Sequence, residues 1–163
     1  MKKVLILLTL IAFIASLFVL YVPHSAYAPE VSDTSPSGVV SRSELPREVY
    51  FIMYEKGTER PFSSPLNEEK RKGTYVSADT GLPLFRSEDK YDSGTGWPSF
   101  VRPIDGAVEL KEDNTFFTKR VEVVSRDTGA HLGHVFNDGP IDRGGMRYCM
   151  NGLALVFVPD EEE

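Results

Sequence analysis

The chain has 163 residues, 18 basic against 24 acidic side chains, a formal net charge of -6 and one cysteine, Cys149. That balance argues against a nucleic-acid partner, because neutralising backbone phosphates takes a surplus of Lys and Arg. A lone cysteine excludes a fold stapled by internal disulfides and leaves Cys149 as a buried small hydrophobe, a nucleophile, a metal ligand or half of an intermolecular bridge.

Residues 1–28 carry Lys2 and Lys3, then an uncharged apolar run from Val4 to Val22, then Ala26-Tyr27-Ala28. Basic start, apolar run and small-x-small triplet are the parts of an export signal. The run of 19 residues also approaches the roughly 20 that span a bilayer, so a cleaved signal peptide and a retained membrane anchor both fit. The basic pair would hold the N-terminus on the cytoplasmic side. The expectation is an exported domain, periplasmic or otherwise extracytoplasmic, either secreted or anchored. Removing residues 1–28 takes away Lys2 and Lys3 and leaves 16 basic against 24 acidic side chains. Residues 29–42, PEVSDTSPSGVVSR, are rich in Ser, Pro and Asp and read as a flexible linker. Residues 43–159 are enough for one compact domain and too few for two. Residues 160–163 form an acidic tail that stays solvated.

The domain opens with SELPREVYFIMYEKG, where Val49, Ile52 and Met53 recur at helical spacing, Ser43 is a candidate cap and Gly57 a stop. Thr74–Val76, Phe116–Val124 and Leu153–Pro159 are β-branched or aromatic runs divided by Gly, Pro, Asn and Asp clusters, which predicts a mainly β, antiparallel body. SADTG at Ser77 and SRDTG at Ser125 echo one another and predict two similar turns, with Asp79 and Asp127 bonding local backbone amides. Ser77 and Thr80, and again Ser125 and Thr128, have the spacing of a paired Cys-x-x-Cys zinc site. Hydroxyls are poor ligands for Zn²⁺, so no structural zinc is expected there.

Three clusters ask for more than folding: SGTGWPSF from Ser93, AHLGHVFNDGP from Ala130, and RYCMN from Arg147. If the last is extended, Arg147, Cys149 and Asn151 project from one face and Tyr148 and Met150 from the other. A guanidinium beside a thiol favours the thiolate and lowers a cysteine from its ordinary value of about 8.5. His131 and His134 lie three apart around Gly133, a spacing that diverges on a regular strand and converges in a bend. Trp97, the only tryptophan, stands among glycines and a proline, where an indole face can hold a methyl or thioether group and keep water from reacting sulfur.

Taken in order and with these intervals, GTGWPSF, AHLGHVFNDGP and RYCMN resemble the B-type methionine sulfoxide reductases, which reduce the R epimer of methionine sulfoxide. KGTERPF at Lys56–Phe62 and PLF at Pro83–Phe85 fit the same family, and the resemblance runs from about Leu45 to Pro159. It implies two antiparallel sheets with small flanking N-terminal helices. It implies Cys149 as nucleophile, with Trp97 and Phe136 holding the substrate. It also implies that His131, His134 and Asn151 bind and protonate the sulfoxide oxygen, and that Arg147 favours the thiolate. Attack on the sulfoxide sulfur releases methionine only if a positioned acid protonates the oxygen, and Cys149 becomes a sulfenic acid. The function so implied is reduction of mainly protein-bound methionine-R-sulfoxide, a repair of oxidised exported proteins by a monomer.

Two departures from the commonest pattern matter. Many members bind zinc through two Cys-x-x-Cys pairs, whose matching positions here are Ser77, Thr80, Ser125 and Thr128. Many also place a recycling cysteine where Thr95 stands, so here no internal disulfide can form. The resemblance therefore implies no bound cofactor and an external thiol reductant, thioredoxin-like, glutaredoxin-like or a small thiol, or a membrane-linked donor outside the cytoplasm. Two rival readings remain: a metal hydrolase using His131, His134 and Cys149 around Zn²⁺, and a membrane-tethered module that binds oxidised methionine without turnover.

Overall fold

The computed structural model describes residues 42–114 and 119–161. The expected export segment and the linker up to residue 41 lie outside the described residues, as do Phe116–Thr118 of one expected strand. Among the described residues no helix is long and apolar enough to cross a membrane.

A 3₁₀ turn at Arg42–Glu44 precedes α1, Arg47–Tyr54, the one α-helix among the described residues. Ser43 does not cap it: the Ncap residue is Pro46, which makes no side-chain cap bond. The Leu45-Pro46 step explains the difference, since a residue preceding proline is pushed out of the helical region and Pro fixes the entry angle. Ile52 and Met53 are buried, with Val49 packed against them. After Tyr54 the chain turns, and Gly57 N–H donates to Phe51 O at 3.0 Å.

Among the described residues nine strands follow: β1 Gly73–Ser77, β2 Pro83–Arg86, β3 Lys90–Tyr91, β4 Ser99–Phe100, β5 Val108–Asp113, β6 Arg120–Ser125, β7 His131–Phe136, β8 Arg147–Met150 and β9 Leu155–Pro159. They form two antiparallel sheets, one of order β2-β1-β9 and one of order β3-β4-β8-β7-β6-β5. The mainly β, two-sheet expectation holds. The last strand starts at Leu155 rather than Leu153, because Gly152–Ala154 make a 3₁₀ turn.

One face of each sheet meets the other through aromatic rings. Phe85 of β2 stacks on Phe100 of β4 at 4.4 Å, and Tyr75 of β1 meets Phe100 edge-on at 4.9 Å. Leu132, Val135 and Met150 complete this core from the larger sheet, with Ile52 and Met53 from α1. Each fully buried apolar side chain contributes about 1.5–3 kcal/mol, so this layer fixes which face of β7 and β8 points away from it.

The two echoed turns are real and equivalent. Gly81 N–H donates to Ser77 O and Gly129 N–H to Ser125 O, both at 2.8 Å, with φ of 69° and 68° at the two glycines. Asp79, however, does not serve its own backbone. It is buried and accepts from Ser77 Oγ (2.5 Å), Tyr54 Oη (2.6 Å) and Thr128 Oγ1 (3.0 Å), while Asp127 is exposed. Buried hydroxyls need an acceptor, and a carboxylate at the meeting point of helix and turns supplies several lone pairs. Ser77 and Thr128, two of the four positions that hold zinc in many relatives of the resemblance, are thus spent on a carboxylate. The set present does not fit a zinc ion, and Asp79 joins the turns instead.

Asp79→Ala should lower the urea unfolding free energy by about 2–3 kcal/mol, the cost of leaving buried donors unpaired. A loss below about 0.5 kcal/mol would mean that the clasp contributes nothing to the fold.

Candidate active site

On β8 the side chains alternate as the sequence suggests. Tyr148 and Met150 face the core, and Arg147 and Cys149 take the other face. The register then assembles a row across five strands. Tyr91 stands opposite Ser99, Ser99 opposite Cys149, Cys149 opposite His134, and His134 opposite Glu122. Directly opposed residues on one face are within side-chain reach of each other. Gly133 makes the close approach possible, since a Cβ there would lie 2.1 Å from the Cys149 carbonyl oxygen.

His131 would point to the opposite face from His134 on a regular strand. Val123 pairs with Gly133 but Val124 pairs with His131, so Leu132 is the extra residue of a bulge. The bulge returns His131 to the outer face, and the two imidazoles sit 5.3 Å apart, edge to face. Each is held by its own carboxylate. His131 Nδ1 meets Glu122 Oε1 at 2.8 Å, and Lys56 Nζ donates to the other oxygen at 2.8 Å. His134 Nε2 meets Asp113 Oδ2 at 2.9 Å, an oxygen that also accepts from Arg120 Nη2 at 2.8 Å. A carboxylate on one ring nitrogen fixes the tautomer and leaves the other nitrogen for chemistry.

Burial lowers the His131 pKa from its ordinary value, against the pull of Glu122. Burial acts to raise Glu122, but Lys56 and His131 outweigh it and hold this carboxyl below its usual range. Cys149 is half-buried, and its desolvation raises the thiol above its ordinary value, opposed by Arg147 and by the Thr95 and Ser99 side chains. The sequence expectation that Arg147 lowers the thiol is right in direction for that residue and wrong for the balance. Burial wins, and Arg147 divides its charge. Its guanidinium makes a two-toothed bond to Asp138, 2.8 Å on both arms, and lies 4.4 Å above the Phe136 ring. Phe136 pairs with Arg147 across the strands, which places it on the same outer face.

Asn151 leaves the strand. It stands at the N-cap position of the 3₁₀ turn without bonding it through its side chain, is buried, donates from Nδ2 to Leu132 O (3.2 Å) and accepts from Glu59 N–H (3.1 Å), so one amide N–H remains for another partner. Trp97 is half-buried and donates Nε1–H to Glu59 O at 3.2 Å. Thr95 sits two residues earlier, hydrogen-bonded to Ser93.

Sequence reasoning passed over Glu59, which connects these parts. Its buried carboxylate accepts from Gly152 N–H (2.6 Å) and Leu153 N–H (3.1 Å), while its backbone holds Trp97 and Asn151. Burial raises this carboxyl above its usual value, against those two amides. Its position inside KGTERPF was the available signal. Glu122, Asp113 and Asp138 were missed for a plainer reason: a carboxylate on a strand looks like a solvated one until its register is known. Among the described residues no group of three or more His, Cys, Asp or Glu side chains could hold a metal ion.

Comparison with known proteins gives the family. The model of the SelR domain matches residues 45–159. A Methanosarcina mazei protein named peptide methionine sulfoxide reductase MsrB is 50% identical over 122 residues, covering 74% of this chain and 86% of that protein. A Vibrio cholerae serotype O1 protein named peptide methionine sulfoxide reductase MsrA/MsrB is 48% identical over 128 residues, 78% of this chain. The chain spans about a third of that longer protein, 34%. The chain belongs to the SelR domain family, the B-type methionine sulfoxide reductases.

The His131 imidazole should titrate below the ordinary value of about 6.5 when followed by NMR, and Glu122→Gln, which removes the opposing charge, should push it lower still. The folded-state value lies below the unfolded one, so this residue's stability contribution is present above about pH 6.5 and lost as pH falls through the folded value. A His131 midpoint above 6.5 would reverse the sign.

Proposed function

We propose that the chain reduces protein-bound methionine-R-sulfoxide by a single-thiol mechanism and that an external thiol regenerates it. The family membership carries methionine sulfoxide reduction. The observation that supports the finer reading is the row Ser99–Cys149–His134, a nucleophile placed between hydroxyls and a carboxylate-held imidazole. The Cys149 thiolate attacks the sulfoxide sulfur, and the oxygen takes a proton from the histidine pair, with His134 standing opposite the sulfur. Methionine then departs and Cys149 holds the oxygen as a sulfenic acid.

Cys149 is the only cysteine in the sequence, so no second internal thiol can displace that oxygen. One external thiol condenses with the sulfenic acid, forming a mixed disulfide and water. A second thiol attacks the disulfide, freeing Cys149 and leaving the reductant oxidised. An exported or anchored location, and with it repair of oxidised exported proteins, rests on residues 1–28.

Preference for a protein-bound substrate is supported by Phe62. The residue is 74% exposed although its backbone is held at φ 62°, where a non-glycine residue is strained. The bond from its N–H to Gly96 O at 2.7 Å keeps it in that conformation, and with Trp97, Tyr91 and Ser93 it lines a cleft of about 160 Å³. An exposed aromatic kept beside the Trp97 loop offers a contact for residues flanking an oxidised methionine.

Without reductant, the protein should yield about one equivalent of methionine per chain from the R epimer of a methionine sulfoxide peptide and none from the S epimer, with Cys149 trapped as sulfenic acid. Cys149→Ser should yield none. Sustained turnover without any added thiol would sink the mechanism, and no methionine from wild type would favour the binding module. Phe62→Ala should raise KM for the peptide several-fold while leaving that for free methionine sulfoxide near its wild-type value; equal changes in both would remove the peptide contact.

A further inference from the structure

The mechanism above uses one face of Cys149 and leaves three hydroxyls unexplained. Ser93 Oγ lies 2.8 Å from Thr95 Oγ1 and 2.8 Å from Ser99 Oγ, and Ser99 Oγ lies 3.1 Å from the Trp97 carbonyl oxygen. Ser99 is buried and stands directly opposite Cys149 across β4 and β8. The Thr95 and Ser99 side chains both oppose the rise that burial imposes on the thiol, the direction expected of hydroxyls near the sulfur. Ser93 therefore joins the two hydroxyls that flank the nucleophile.

Each hydroxyl carries one proton that can rotate, and two lone pairs. Three protons cannot satisfy every contact in one orientation. With a thiol at Cys149, the S–H can donate to Thr95, Thr95 to Ser93, Ser93 to Ser99 and Ser99 to the Trp97 carbonyl, so the chain of donors ends on an acceptor. With a thiolate, Thr95 and Ser99 turn their protons to the sulfur and Ser93 donates to one of them. No heavy atom has to move between the two patterns, and a linked chain polarises its members in the same sense.

We propose that Ser93, Thr95 and Ser99 form a reorientable hydroxyl cluster that solvates the Cys149 sulfur as either thiol or thiolate, with Ser93 as a positioning residue that acts through the other two. This rests on Cys149 being the nucleophile of the reading above. It gives Thr95 a function of its own at the position where a recycling thiol is absent. Burial costs the thiolate its water, and two aimed hydroxyls replace part of that hydration. The charged and titratable groups facing the sulfur are Arg147 on β8, His134 on β7 and Tyr91 on β3, with Asp138 on Arg147. All four stay in place in each variant below.

The test is the pH dependence of Cys149 alkylation by iodoacetamide, which needs neither substrate nor reductant, in wild type, Ser93→Ala, Thr95→Val and Thr95→Ser. Ser93→Ala and Thr95→Val should each move the alkylation midpoint up by about half a unit to one unit, which is about a three- to tenfold loss of rate on the rising limb. Thr95→Ser should keep the wild-type profile. Thermal melts certify the fold, and Ser99→Ala, made in the buried strand, gives a second reading should a loop variant fail to fold. A Ser93→Ala profile superimposed on wild type, or Thr95→Ser behaving as Thr95→Val, overturns the cluster. A shifted profile in a protein that reduces no methionine sulfoxide would overturn the proposed function and leave the cluster standing.

Discussion

The site depends on one register. With Ser99, Cys149 and His134 facing one another across β4, β8 and β7, hydroxyl, thiol and imidazole are neighbours without any long loop to order. Slipping β8 by one residue against either partner would turn Cys149 toward the aromatic core and bring Tyr148 or Met150 outward, since side chains alternate with a period of two. The core forbids the slip, because Tyr148 and Met150 pack with Phe85, Phe100 and Leu132. Packing energy on one face of the sheet is thereby converted into positional accuracy on the other.

A second constraint lies at Leu132. The bulge costs β7 one ladder position and returns His131 to the side of His134. The pair then needs two carboxylates to fix it, and those come from β6 and β5, each backed by a cation from elsewhere, Lys56 after the helix and Arg120 on β6. The imidazoles are therefore tied to the helix end and to the sheet edge. Glu59 does the same for Trp97 and Asn151, so that three loops and two strands share a small number of buried carboxylates.

The residue types of the site could be read in the sequence, while their supports could not. Cys149, Arg147, His131, His134 and Trp97 are rare or clustered enough to stand out, and the alternation on β8 was readable because RYCM is a short, regular strand. The convergence of the histidines required knowing where a bend falls, which depends on pairing with Val123 and Val124. The helix was legible from Ile52 and Met53, but its start was set by Pro46. The Asp79 clasp escaped because a Ser-x-Asp-Thr-Gly turn usually satisfies itself locally, and only the approach of Tyr54 and the second turn draws the carboxylate away. The cost of burial at Cys149 was likewise invisible beside the obvious cation at Arg147.

The Asp79 clasp has a chemical consequence. Its members are a carboxylate, two aliphatic hydroxyls and a phenol, none of them the soft sulfur that oxidants attack first, and the core residues Met53 and Met150 are almost fully shielded, at 1% and 0% exposure. An oxidant that reaches the protein finds no cluster of thiolates at this joint, because the sequence holds a single cysteine. The scaffold is thereby insensitive to the oxidation of thiols, and the one thiol the sequence holds, Cys149, lies outside both the clasp and the buried core.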